Sequence, residues 1–277
     1  MADPLRLTAA ICALLLTTGG ARGADDVSRW DGDARGAARL IAGSPPARGG
    51  TLRAGVEIRL KSGWHTYWRY PGDSGVPPQF DFKGSQNVKQ VHVLWPAPRR
   101  MVEAGGTAIG YTSDVIFPLR VEPQDAAKPV MLRLKLDYAI CEKLCVPAEA
   151  KVELALGKGP ASRDGALIDA EQRVPKQVAL GEGGALSVRL VRREAGSPRS
   201  RVVVDVAAAG PVDLFAEGPT AQWALPLPVR IDGAPGGVQR FAFELDGLPP
   251  GASEAGALIT LTAVAQDHAI EVARRLD

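Results

Sequence analysis

The stretch TLRAGVEIRL, Thr51 to Leu60, sets Leu52, Ala54, Val56, Ile58 and Leu60 at every second position. Residues two apart in a β-strand share a face, so this is a strand with one buried side. Val88 to Leu94, Val115 to Val121, Val130 to Leu136 and Lys151 to Leu156 repeat the style. In the fourth of these five, Leu132, Leu134 and Leu136 face one way and Arg133 and Lys135 the other. No segment of this half keeps a 3.6-residue period, which predicts an antiparallel β-sandwich. Ser162 to Val174 reads as a short helix, with Ser162 as N-cap and Pro175 as stop. Gly181 to Gly184 reads as a hinge. Strands return at Leu186 to Val191, Arg201 to Ala207, Val212 to Ala216, Gln239 to Leu245 and Ala257 to Ala265, a second small sandwich. The expected organisation is 24–160 as the first sandwich, 161–184 as a linker and 185–277 as the second sandwich.

Composition agrees. The 277 residues are 45% apolar and 23% charged, enough for packed cores. The 31 Gly and 22 Pro fall between short apolar runs, as in sandwiches rich in turns. A net charge of +2 without any Lys/Arg run argues against nucleic acid as a partner. Residues 1–23 read as a secretory signal: Arg6 is basic, Leu7 to Leu16 is apolar, and Ala21-Arg22-Gly23 offers small residues for cleavage. The apolar run is too short to span a bilayer, which takes about 20 residues. The expectation is a periplasmic chain that does not span the membrane after cleavage.

Cys12 would leave with that signal. Cys141 and Cys145 remain, close together in an oxidising compartment, where a disulfide is the default. They lie between the strand that ends near Tyr138 and the one that starts at Lys151, hence at a hairpin rim. A bridge over so small a loop removes little unfolded-chain entropy, about 2 kcal/mol against about 4.7 for a 100-residue loop. Exposed rim bridges are the labile ones. Lys143 would favour a thiolate and Glu142 would oppose it. Two thiolates are too few for a closed zinc site, and the histidines have no ligand spacing with them, so no metal and no cofactor is expected. The residues leave three readings open: thiol–disulfide interchange, a non-catalytic partner-binding module pinned by a structural bridge, and a copper-responsive carrier using both thiolates.

Two other segments are dense in chemistry. Gly63 to Pro78 holds Trp64, Tyr67, Trp68 and Tyr70, in a chain with only 5% aromatics. Alternation puts Trp64, Thr66 and Trp68 on one face and His65, Tyr67 and Arg69 on the other. The first face suits a sandwich core. An aromatic wall of Trp64, His65, Tyr67 and Trp68 beside the cysteines is the functional alternative, with His65 as a general base. Trp95 to Tyr111 reads as a long loop broken by Pro96, Pro98, Gly105 and Gly106, either a plain connection or a lid.

Together, Gly63-Trp64-His65-Thr66-Tyr67-Trp68, Pro71-Gly72-Asp73-Ser74-Gly75, Trp95-Pro96-Ala97-Pro98-Arg99, Gly110-Tyr111 and Cys141 to Cys145 with Pro147 after them resemble, in order, the N-terminal periplasmic domain of the DsbD and ScsB thiol:disulfide reductases, nearer the ScsB branch. The likeness spans roughly Ala24 to Gly157, and the second sandwich is similar to the segment C-terminal to that domain in ScsB-like chains. It implies two immunoglobulin-like antiparallel β-sandwiches joined by a short, partly helical linker, all-β overall. It implies a redox pair in which Cys145 forms the mixed disulfide and Cys141 resolves it, under a cap loop whose place matches Arg99 to Tyr111, including Met101, Val102, Ile109 and Tyr111. Implied partners are a thioredoxin-like or membrane thiol reductase and an oxidised periplasmic client, in settings such as cytochrome c biogenesis or copper tolerance. The chain departs from the DsbD branch in having three residues between its cysteines and in replacing an aromatic-rich cap with Met101, Val102, Gly105 and Gly106. With no membrane or thioredoxin-like segment in it, a separate partner is expected to supply electrons to this protein-disulfide reductase component.

Overall fold

A computed structural model describes residues 25–46, 50–103, 106–157, 159–266 and 268–277. The signal expected at 1–23 lies outside these residues. The regular elements described are strands, with a single α-helix among them. The N-terminal half contributes β1 (Asp31–Gly32), β2 (Gly36–Ala42), β3 (Leu52–Leu60), β4 (Thr66–Gly72), β5 (Gln79–Asp81), β6 (Val88–Val93), β7 (Arg99–Glu103), β8 (Gly106–Tyr111), β9 (Val115–Pro123), β10 (Val130–Cys141) and β11 (Cys145–Leu156). Helix α1 (Asp164–Gln172) and β12 (Lys176–Gln177) come next, then β13 (Ser187–Glu194), β14 (Arg201–Ala207), β15 (Asp213–Glu217), β16 (Val229–Ile231), β17 (Val238–Glu244), β18 (Leu258–Ala265) and β19 (His268–Arg275).

Sheet β1-β2-β3-β9-β6 faces sheet β11-β10-β5 across a core of Leu40, Val56, Phe117, Leu132, Leu136 and their neighbours. A third sheet, β4-β8-β7, adds Trp68, Ile109 and Tyr111 to that core. In the C-terminal half, β13-β14-β17-β16 and β12-β19-β18-β15 enclose a second cluster built on Val204, Leu214, Phe243 and Leu261. The immunoglobulin-like, all-β reading therefore stands. Pairing is antiparallel throughout the described ladders except between β12 and β19, which run parallel. Among the described residues no helix is long and apolar enough to cross a membrane.

Three expectations need correction. Ser162 is not the N-cap: Arg163 occupies that position without a side-chain cap bond, and the Ser162 N–H donates to Asp26. Gly181 to Gly184 does not stand apart as a hinge. Lys176–Gln177 joins the C-terminal sheet, and the Gly181 N–H donates to the Val188 carbonyl at 2.8 Å. Trp95 to Tyr111 is not a loop, because Arg99–Glu103 pairs with Gly106–Tyr111 as a hairpin. Residues 104–105 between them fall outside the described residues.

Helix α1 covers the outer face of the first sheet. Leu167 is fully buried, and a Cβ on Gly43 or Gly55 would come within 2.9 and 3.1 Å of its methyls. Arg53 bridges Asp164 and Glu171, and Arg120 also reaches Glu171. Burial alone would raise the Glu171 carboxyl, but the bonds from Arg53 and Arg120 outweigh it and hold the pKa below its ordinary value. Leu167→Ala should cost about 2 to 5 kcal/mol in urea unfolding by leaving a cavity between helix and sheet.

Candidate functional site

Strand β10 is long enough to leave the core. Leu132, Leu134, Leu136, Tyr138 and Ile140 point inward, while Lys135 and Asp137 are exposed. Beyond Tyr138 that alternation stops, and Ala139 and Cys141 are buried as well. The cause is β4-β8-β7, which closes over the outer face of this end. Ala139 and Cys141 form a small cluster with Tyr67, Met101 and Ala108. Backbone pairing locks the arrangement: the His65 N–H donates to the Cys141 carbonyl at 2.9 Å, and the Cys141 N–H returns to His65 at 3.0 Å. Thr66 adds a hydroxyl bond to the Ala139 carbonyl at 2.8 Å.

Cys141 and Cys145 are direct cross-strand partners at the end of the β10–β11 ladder and are joined by a disulfide, with Cα atoms 4.1 Å apart. Glu142, Lys143 and Leu144 form the exposed tip. The sulfurs are not equivalent. Cys141 is only 2% exposed, whereas Cys145 is exposed. The rim expectation therefore holds for Cys145 and is corrected for Cys141, whose outer side is covered by the cap sheet.

The Tyr67 hydroxyl lies 3.0 Å from the Cys141 sulfur and 3.1 Å from that of Cys145. It also donates to Glu103 Oε1 at 3.1 Å. That same oxygen is 2.6 Å from His65 Nε2, and Glu103 Oε2 accepts from the Ser74 hydroxyl at 3.1 Å. Burial, and secondarily the Glu103 charge, push the Tyr67 pKa well up, so the phenol keeps its proton. One proton thus has three acceptor-capable neighbours. A carboxylate outcompetes a disulfide sulfur for it, but a thiolate formed on bond opening would be a strong acceptor.

The expected aromatic wall divides. Tyr67 is at the sulfurs, and His65 lies beside its ring. Trp68 is fully buried in the main core, and Trp64 packs against that core. The cap residues divide too. Met101 covers Cys141. Ile109 and Tyr111 face the core, and the Tyr111 hydroxyl donates to the Pro96 carbonyl at 2.9 Å. Val102 is 94% exposed, and Arg99 is exposed. His65 touches Glu103 and not the sulfurs, a relay place at most.

The glycine and turn motifs now have physical reasons. A Cβ on Gly110 would sit 2.0 Å from the Thr66 carbonyl, so only glycine lets β8 lie this close to β4. A Cβ on Gly75 would strike the Tyr67 ring at 2.4 Å. Within the same turn, Asp73 accepts from the Thr107 N–H at 2.9 Å and Ser74 holds Glu103. Pro71 to Gly75 is thus a buttress for the cap hairpin. Glu103 was not singled out from the sequence; its register opposite a glycine in a Gly-rich stretch is the sole signal, and its partners are 29 to 38 residues away. Among the described residues no three His, Cys, Asp or Glu side chains converge as a metal site.

Residues 37–157 match the family model described as "Thiol:disulfide interchange protein DsbD, N-terminal". The crystal structure of the N-terminal periplasmic domain of ScsB from Proteus mirabilis shares the fold, with a TM-score of 0.71 over 91% of this chain and 98% of that one, at 20% identity. No curated protein sequence matches the chain. Tyr67→Phe keeps the ring and removes the hydroxyl. Bridge opening by dithiothreitol at neutral pH should slow about tenfold, equivalent to about 1.4 kcal/mol in the barrier, with the thermal midpoint little changed.

Proposed function

We propose, for a chain whose residues 37–157 belong to the DsbD N-terminal domain family, that Cys141 and Cys145 carry electrons between a thiol reductase and an oxidised periplasmic protein. The observation that carries this is the unequal burial of the two sulfurs. Cys145 is the residue a partner thiolate can reach, while Cys141, buried in a cluster with Met101, is the leaving sulfur.

In the loading half-cycle the partner's thiolate attacks the Cys145 sulfur. The Cys141–Cys145 bond breaks and its electron pair stays on Cys141. The Tyr67 proton turns from Glu103 toward the new thiolate and stabilises it by a hydrogen bond. The partner's second thiolate then attacks its own sulfur in the mixed disulfide and releases Cys145. The partner leaves oxidised and the pair is left reduced. In the delivery half-cycle the Cys145 thiolate attacks a client disulfide, and Cys141 displaces the client to restore the bridge. Two electrons enter and two leave.

Leu144, next to Cys145, is 80% exposed, and Val102, next to Glu103, is 94% exposed. An apolar recess of about 310 Å³ opens among Val76, Pro77, Tyr138 and Pro147. Uncovered apolar groups near a reactive sulfur suit transient contact with a partner's own cysteine surface. The expected division of the chain into two sandwiches fits this reading, with the redox pair wholly on strands of the N-terminal one.

The test is trapping. Cys141→Ser protein, which cannot resolve, should accumulate mixed disulfides through Cys145 in a periplasmic extract, whereas Cys145→Ser should accumulate few. Equal trapping by both variants would undo the assignment of Cys145 as the attacking sulfur; no trapping by either, or a bridge with a potential far below about −300 mV, would return the pair to a structural role.

A further inference from the structure

The three strands of the cap sheet are gripped from two sides. One side is the cysteine pair. The other is the C-terminal half, for which the sequence offered no role. On β4, Trp68 meets Phe215 with ring centroids 5.7 Å apart, Arg69 bridges Glu217 at 2.7 Å and also pairs with Glu271, and the Tyr70 hydroxyl donates to the Leu225 carbonyl. On β7 the grip is a single side chain, Arg100. Its Nη2 donates to the carbonyls of Leu214 at 2.8 Å and Pro228 at 2.7 Å. Its Nε is 3.3 Å from Asp213, and its guanidinium lies over the Phe215 ring at 5.6 Å.

Neighbours on a strand point to opposite faces. Arg100 is flanked by Met101, which covers Cys141, and Glu103 on the same short strand holds Tyr67 and His65. Near the far end of the hairpin, among the described residues, Ser74 bonds Glu103 and Asp73 accepts from the Thr107 N–H, both from one exposed turn. A guanidinium bonded to two backbone carbonyls and a carboxylate uses a fork that an ammonium cannot reproduce. Neither carbonyl can relocate, since both belong to backbone of the C-terminal half.

We infer that the C-terminal half is the platform that holds the cap over the sulfurs, and that Arg100 is the positioning residue through which it acts. Anchored there, β7 keeps Met101 on Cys141 and Glu103 on the Tyr67 hydroxyl. Released, β7 lifts, the buried sulfur is uncovered, and the Tyr67 proton loses its resting acceptor. This rests on the reading that the pair exchanges with other sulfurs.

The experiment compares wild type, Arg100→Ala, Arg100→Lys and Asp213→Asn. Bridge opening by dithiothreitol and, after reduction, alkylation of each cysteine by iodoacetamide across pH are monitored by mass. Circular dichroism monitors the fold. Arg100→Ala should speed bridge opening about tenfold and bring Cys141 alkylation to within a few-fold of Cys145, with an altered pH profile. Arg100→Lys should restore part of the protection. Asp213→Asn, which spares both carbonyl bonds, should move both rates the same way by about two- to threefold. Natively folded Arg100→Ala with wild-type rates and pH profile would overturn the inference. If Arg100→Ala does not fold, Asp213→Asn decides, and unchanged rates there overturn it. A wild-type bridge that dithiothreitol cannot open would instead defeat the exchange reading itself.

Discussion

The contact of one phenol with two sulfurs is the point on which the rest of the structure converges. Tyr67 can reach both only because β10 carries Cys141 past the edge of its own core and under a second sheet. A strand end buried on both faces must satisfy its backbone on both edges. β11 supplies one edge and the start of β4 supplies the other, through the paired bonds between His65 and Cys141. The sulfur chemistry is therefore set by main-chain geometry first and by side chains second.

Electrostatics then divides labour between the two cysteines. The same carboxylate that draws the Tyr67 proton away in the bridged state would repel a thiolate beside it. The phenol stands between them as a neutral, protonated spacer, kept so by burial. Charge appearing on Cys141 would meet a donor before it meets Glu103. Charge appearing on Cys145 would meet the same phenol at 3.1 Å, and solvent and the exposed hairpin tip besides. Burial decides which sulfur another molecule touches, and with it which sulfur leaves.

Much of the scaffold was legible because most strands have one wet face. Leu132, Leu134 and Leu136 announce themselves against Arg133 and Lys135; Leu52 to Leu60 alternates as clearly in sequence, but its expected wet face is corrected by the structure, where Gly55 and Glu57 are buried on the α1 side. Gly36–Ala42 escaped the reading for the opposite reason. It is covered by the core on one side, through Leu40, and by the α1 side on the other, through Ile41, so it has no alternation. The cap hairpin was hidden by Pro96, Pro98 and the glycines, which signal loops locally; its pairing partner, β4, is 36 to 45 residues earlier. Cys141 and Cys145 stood out by isolation, and Tyr67 by crowding of aromatics. Glu103 and Arg100 looked like ordinary strand charges, because their significance lies wholly in what distant segments bring to them.

The direct pairing of Cys141 with Cys145 in the ladder has a kinetic consequence. Cutting the sulfur–sulfur bond leaves the backbone bonds of β10 and β11 intact, so the freed sulfurs stay neighbours. Each sees the other at an effective concentration far above that of any thiol in solution. In delivery, a mixed disulfide with a client would thus be expelled from within almost as soon as it forms, so that encounter rather than release sets the pace; in loading, the same attack sends the partner back unoxidised unless its own second thiolate is faster.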